Sequence, residues 1–171
     1  MAKIGLFFGS TTGKTADVAE TIQKVLGGEA VVTLHDIADA EAGDFDSYEY
    51  LIIACPTWDI GELQADWDGF FPELDDIDFS GKTVSYFATG DQVGYSDNFM
   101  DAMGTLEAKI SARGGKTVGY WPVTDDYDFN ASTAVKNGKF VGLALDEDNQ
   151  SELTEGRINA WVAQLKAEIS L

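Results

Sequence analysis

Short apolar runs alternate along the chain with segments whose apolar residues recur every three or four positions. Lys3-Ile4-Gly5-Leu6-Phe7-Phe8 has the continuous apolar character of a strand buried on both faces. Gly13 to Leu26 follows with Val18, Ile22, Val25 and Leu26 at helical spacing. Ala30–Leu34 reads as a second strand and Tyr50–Cys55 as a third, stopped at Pro56, which has no N–H for a ladder. Leu63, Trp67, Phe70, Phe71 and Leu74 form a helical stripe interrupted by Pro72, and Thr83–Ala88 is a fourth strand. A helix is predicted from Asn98 to Arg113, closed by Gly114-Gly115, before a fifth strand at Thr117–Trp121. Ile158, Trp161, Val162, Leu165 and Ile169 mark the closing helix.

Such alternation predicts an α/β fold, a parallel sheet with helices on both faces. Five strands suit a doubly wound sheet of order 2-1-3-4-5, whose ligands bind beyond the carboxyl ends of strands one and three, where the winding reverses. One stretch breaks the alternation. Pro122 to Lys139 is polar and turn-rich, and strand-like residues resume at Lys139–Leu145, so it reads as an excursion that splits the fifth strand. No repeat or linker divides the 171 residues, which predicts a single domain over 1–171.

Composition removes several classes of function. A hydrophobic fraction of 44% argues for a packed core rather than disorder. Thirty Asp and Glu against eleven Lys and Arg give a net charge of −19, which repels nucleic acid and anionic membranes and favours basic partner surfaces. A single cysteine, Cys55, excludes an internal disulfide and multi-cysteine clusters, and His35 is the sole histidine. Both read as strand residues, and Asp75-Asp76-Ile77-Asp78 as a solvated acidic turn. No charged-then-apolar leader precedes Lys3, and no apolar run approaches the roughly 20 residues of a membrane span. The expectation is a cytoplasmic monomer with no membrane insertion; plastid stroma stays open, since a removed transit peptide leaves no trace.

The loop after the first strand, Gly9-Ser10-Thr11-Thr12-Gly13-Lys14-Thr15, combines hydroxyls and glycines at a helix start. Unpaired N–H groups and the positive end of the helix dipole stabilise an anion there, and hydroxyls suit a phosphate. Only three residues separate Gly9 from Gly13-Lys14-Thr15, one too few for a nucleotide-hydrolase P-loop, and the dinucleotide G-x-G-x-x-G is absent. A response regulator is excluded too, because the first and third strands end in Phe8-Gly9 and Ala54-Cys55, without its carboxylates. The loops after strands three and four, Pro56-Thr57-Trp58-Asp59-Ile60-Gly61 and Thr89-Gly90-Asp91-Gln92-Val93-Gly94-Tyr95, each carry one aromatic. Beside an anchored phosphate, the pair suits the two faces of a flat ring.

In this order and spacing the three loops resemble those of a flavodoxin. Ser10-x-Thr12-Gly13-x-Thr15 has Ser where the family usually has Thr; Pro56-Thr57-Trp58-x-x-Gly61 and Thr89-Gly90-Asp91-Gln92-x-Gly94-Tyr95 match at every named position. The resemblance spans essentially the whole chain. The excursion resembles the insertion of long-chain flavodoxins, and Asp146-Glu147-Asp148-Asn149-Gln150 resembles cyanobacterial and algal members. It implies one non-covalent FMN, no metal, and a low-potential one-electron carrier rather than an enzyme. The three loops, together with Asn98 and Asp148, would form its site. Trp58 and Tyr95 would stack on the isoalloxazine, and the Asp59 carbonyl would accept a hydrogen bond from N5–H of the one-electron-reduced flavin. Acidic residues around Asp91 would lower the second reduction potential. The cyanobacterial likeness implies photosystem I and ferredoxin–NADP reductase as partners, with this protein replacing ferredoxin under iron limitation. An FMN-dependent NAD(P)H:quinone-type reductase is the alternative; it would need a nicotinamide pocket, for which no candidate segment stands out. A cofactor-free binding module ranks third.

Overall fold

The computed structural model describes residues 3–58 and 60–171, without the side chain of Trp58. In chain order the strands are β1 (Ile4–Phe8), β2 (Val32–Asp36), β3 (Tyr50–Trp58), β4 (Glu62–Leu63), β5 (Thr83–Thr89), β6 (Lys116–Thr117), β7 (Trp121–Pro122), β8 (Val135–Lys136), β9 (Lys139–Phe140) and β10 (Leu143–Leu145). The helices are α1 (Lys14–Leu26), α2 (Ala65–Phe70), α3 (Asp101–Ala112) and α4 (Ser151–Glu168). The main sheet runs β10-β5-β3-β1-β2, all parallel. Because β6 pairs with the start of β5 and β10 with its end, these two pieces are one interrupted fifth strand. The order is therefore the doubly wound 2-1-3-4-5.

Side-chain alternation along each buried strand assigns the two faces. Ile4, Leu6, Ile52, Ala54, Phe87, Leu143 and Leu145 pack with Val18, Ile22, Ile158, Trp161 and Leu165, so α1 and α4 cover one face. Phe7, Leu51, Ile53, Val84 and Tyr86 pack with Trp67, Phe70, Met103, Leu106 and Ile110 of α2 and α3 on the other. Cys55 belongs to this second core; burial pushes its thiol up to about 12, which leaves it protonated at neutral pH. His35 lies in β2, its ring stacked on Phe7 and bonded to the Tyr48 hydroxyl at 2.8 Å.

Element ends differ from the sequence pattern for local reasons. The second strand begins at Val32 because Val31 and Val32 first donate to the Gly28 carbonyl in a turn after α1. Of the stripe from Leu63 to Leu74, Leu63 lies in β4, the α-helix runs only from Ala65 to Phe70, and a 3-10 helix follows from Phe71 to Asp76, since Pro72 lacks an N–H to extend the ladder. Asp75 at its end pairs with Lys109. The helix expected from Asn98 starts at Asp101, because the buried Met100 holds a left-handed conformation, φ 63°.

The expected fifth strand, Thr117–Trp121, is cut short after Thr117, and Trp121 joins a small antiparallel sheet of order β7-β9-β8. Its β8–β9 hairpin closes on Asn137-Gly138, both at positive φ, the geometry of a tight two-residue turn. Phe99, Phe129, Tyr127 and Phe140 bind this excursion to the rest of the molecule, with ring centroids 5.1 Å apart for Phe99–Phe129 and 5.0 Å for Tyr127–Phe140. The chain returns to the main sheet at Gly142, where a Cβ would overlap the Tyr86 carbonyl oxygen.

Candidate functional site

Parallel strands bring the loops after β1, β3, β5 and β10 to one end of the sheet, and a cleft of about 250 Å³ opens between them. The first loop contributes Thr12 and Lys14, the second Pro56 and Thr57, the third Thr89, Gly90, Asp91 and Tyr95, and the loop before α4 Glu147 and Asp148.

At the β1–α1 turn, Ser10 Oγ accepts the N–H groups of Gly13 at 3.2 Å and Ala16 at 3.4 Å, which curls the loop into a concave nest. Thr12 reaches the cleft, whereas the Thr11 hydroxyl accepts from Gln64 Nε2 at 3.1 Å. Gln64 is buried, and its Oε1 caps α2 by accepting from Asp66 and Trp67 N–H, so α2 braces the loop from behind. Thr15 and Thr89, both buried, join hydroxyls at 3.2 Å and tie the first loop to the third. Across the cleft mouth Lys14 Nζ meets Asp148 at 2.8 Å. Hydrogen bonding and the charge of Asp148 raise the lysine pKa above its ordinary value.

The second loop is a hairpin. Thr57 and Trp58 pair antiparallel with Leu63 and Glu62, and Gly61 closes the turn at φ 88°. Ile60 at its tip is 71% exposed. The Thr57 hydroxyl oxygen is buried in the cleft wall with no hydrogen-bond partner among the described residues, a cost that a ligand hydroxyl could remove. The Trp58 ring and Asp59, expected against the flavin face and at N5, lie outside the described residues.

In the third loop Asp91 Oδ1 accepts from Gly94 N–H at 2.8 Å and Val93 N–H at 3.0 Å, and the Tyr95 N–H returns to the Asp91 carbonyl. The Gly94 N–H, helped by Asn149 and Val93, holds the Asp91 carboxyl below the usual carboxylate range. This turn presents Val93 and Tyr95 outward, 69% and 43% exposed. The side chains of Gln92 and Asn98, included in the expected site, are engaged by other protein groups. The buried Gln92 amide donates to Asp146 at 2.8 Å and accepts from Asp128 N–H, while Asn98 Nδ2 donates to Asp101 at 3.0 Å.

Three supports escaped the sequence reading. Asp146, fully buried, accepts from Gln92 on the third loop and from Asp148 and Asn149 on the next, fixing the two walls to each other. Its side chain bonded to the amides two and three residues on is an Asx turn, legible as Asp-x-x-Asn before a helix. Glu147 adds a carboxylate to the lining. Asp101 is also buried, a placement with no sequence signal.

Fold and cleft together define a doubly wound α/β protein that binds at its switch point, with hydroxyls at one end, an aromatic at the other and acid around the mouth. The comparisons with known proteins fit this class. The Flavodoxin family model matches residues 6–161. A flavodoxin of Nostoc sp. is 67% identical over 169 residues, 99% of this chain and 98% of the relative. Another, from Synechococcus elongatus, is 61% identical over the whole of both chains. Among solved structures, a Fusobacterium nucleatum flavodoxin bound to flavin mononucleotide has a TM-score of 0.91 at 33% identity, covering 98% of this chain and 99% of that one. The chain belongs to the flavodoxin family.

Proposed function

We propose that this flavodoxin carries electrons singly on non-covalent FMN from photosystem I to ferredoxin–NADP reductase, in place of ferredoxin when iron is scarce. The observation that carries the cofactor reading is the polarity of the cleft along its length. A helix N-terminus and hydroxyls occupy one end, a Thr57 hydroxyl without a partner among the described residues the wall, and Tyr95 the open rim. That sequence of groups matches a phosphate, a polyhydroxyl chain and a flat ring, the three parts of FMN.

FMN supplies the redox chemistry, accepting and releasing one electron at a time. The protein's part is to hold and tune it. The Ser10–Thr15 nest would take the phosphate, with Thr12 facing it directly and Thr15 fixing the floor through Thr89. Pro56, Thr57, Trp58, Asp59, Ile60 and Gly61 would wrap the ring on one side, and Thr89 to Tyr95 on the other. Asp91, Glu147 and Asp148 make added negative charge in the cleft unfavourable, which lowers the potential of the second electron. Ile60, Val93 and Tyr95 leave an apolar rim beside the cleft where an electron can cross to a partner. Identities of 58–67% with cyanobacterial flavodoxins and the charge of −19 support the photosynthetic partners, whose docking faces would be basic.

The phosphate assignment has a direct test. Thr12→Val removes a hydroxyl from the cleft, and Thr15→Val also leaves the buried Thr89 hydroxyl unpaired. Each is expected to weaken FMN by about tenfold, Thr12→Val by losing a charge-assisted hydrogen bond and Thr15→Val by loosening the floor of the nest, and riboflavin much less. Calorimetric titration of both ligands checks this; equal losses for FMN and riboflavin would remove the phosphate from this loop.

A further inference from the structure

The excursion between the two halves of the fifth strand lies on the segment that carries the third cofactor loop into α3. Asn130 and Ala131 N–H groups donate to the Ser96 carbonyl at 2.8 and 2.9 Å, and Phe99 N–H donates to the Ala131 carbonyl. Thr133 N–H then donates to Asp101 Oδ1 at 2.7 Å, while Asn98 Nδ2 occupies Oδ2. Asp101 is 7% exposed, so its carboxylate is an anchor out of water. On its other side it meets the flavin-side hairpin: a Cβ built on Gly61 would lie 2.8 Å from both Asp101 Cβ and Oδ2. The excursion, Asp101 and the Gly61 turn are thus in series. Met100 supports this placement from a left-handed conformation that a buried non-glycine residue adopts only at a cost.

We infer that Asp101 is a positioning residue for the Trp58–Gly61 turn, and that the excursion acts through it to set the separation between the two one-electron steps. The inference rests on the FMN reading of the cleft. Among the described residues of the turn, Ile60 is exposed and Gly61 has no side chain, and β4 is two residues long. A buried carboxylate with a fixed partner on the excursion limits how the hairpin tip moves when the flavin's hydrogen-bonding demand changes. Its contribution is geometric, so the acceptor atoms matter more than the charge.

Two substitutions separate geometry from charge. Asp101→Asn keeps an acceptor for Thr133 N–H, and Asn98 can present its carbonyl to the new amide; Asp101→Ala removes both acceptors. Reductive titration of the FMN-loaded variants should give wild-type separation of the two steps for D101N. For D101A the steps should converge by about tenfold in the equilibrium constant relating them, the scale of one charged hydrogen bond. Amide exchange of Gly61 and Glu62 in apo-D101A should also accelerate by about tenfold. Gly104→Ala gives an independent route should D101A not fold, because its Cβ would meet Thr133 O at 2.9 Å and Ala134 N at 3.0 Å, displacing the excursion while leaving Asp101 intact. It should reproduce the convergence. Unchanged separation in D101A or G104A, or an equal shift in D101N and D101A, overturns the inference. Wild-type protein that does not bind FMN at all would instead overturn the reading of the cleft.

Discussion

Gly61→Ala is expected to weaken FMN binding by about tenfold or more and to bring the two one-electron reduction steps together. Two costs add at this position. The turn holds Gly61 at φ 88°, where an L-residue loses roughly 1–2 kcal/mol. The new methyl would also lie 2.8 Å from Asp101, and overpacking of a buried contact costs about 1–3 kcal/mol. Asp101 cannot yield freely, because it is hydrogen-bonded to Thr133 and Asn98. The hairpin must move instead, and it is the segment proposed to answer the flavin's change in protonation at N5. Potentiometric titration beside a binding isotherm checks the prediction; wild-type values in both would show that the turn neither needs positive φ nor meets the cofactor.

The second large effect is on partner association. With thirty acidic side chains against eleven basic ones, and Asp91, Glu147 and Asp148 at the cleft mouth, encounters with a basic protein are steered by long-range attraction. Screening shortens that reach to about 10 Å at 0.1 M salt and about 3 Å at 1 M. The second-order rate of electron transfer to ferredoxin–NADP reductase should therefore fall by about tenfold or more across that range. Stopped-flow mixing at several ionic strengths measures it. A flat response, or a rate that rises throughout with salt, contradicts docking through this face.

The sheet and its order were legible because strands buried on both faces carry continuous apolar runs, and such a run has few other homes in an α/β fold. The three loops that line the cleft were legible for a different reason. Ser10–Thr15, Pro56–Gly61 and Thr89–Tyr95 combine residue types that a strand connection does not require, and their order along the chain matches the switch point of the sheet. Asn137-Gly138 was an equally plain turn signal inside the excursion, and the hairpin there could have been read from it.

Burial of polar side chains was not legible. Gln64, Gln92, Asp101 and Asp146 look like surface residues in sequence, yet each lies in the interior and ties one loop to another. Gln92 shows the consequence, since its side chain, in a loop beside the cleft, is spent on Asp146 and Asp128. The same holds for Asn98, whose amide serves Asp101. A motif identifies the loop, but the network behind the loop depends on which distant residues the fold brings there.

Stepwise anaerobic reduction of the apoprotein reconstituted with FMN tests the central claim most directly. The expected result is stoichiometric uptake of FMN, followed by two resolved one-electron steps with the second at the lower potential and a neutral one-electron-reduced species between them. Failure to take up FMN, or reduction in a single two-electron step with no such species, would contradict it.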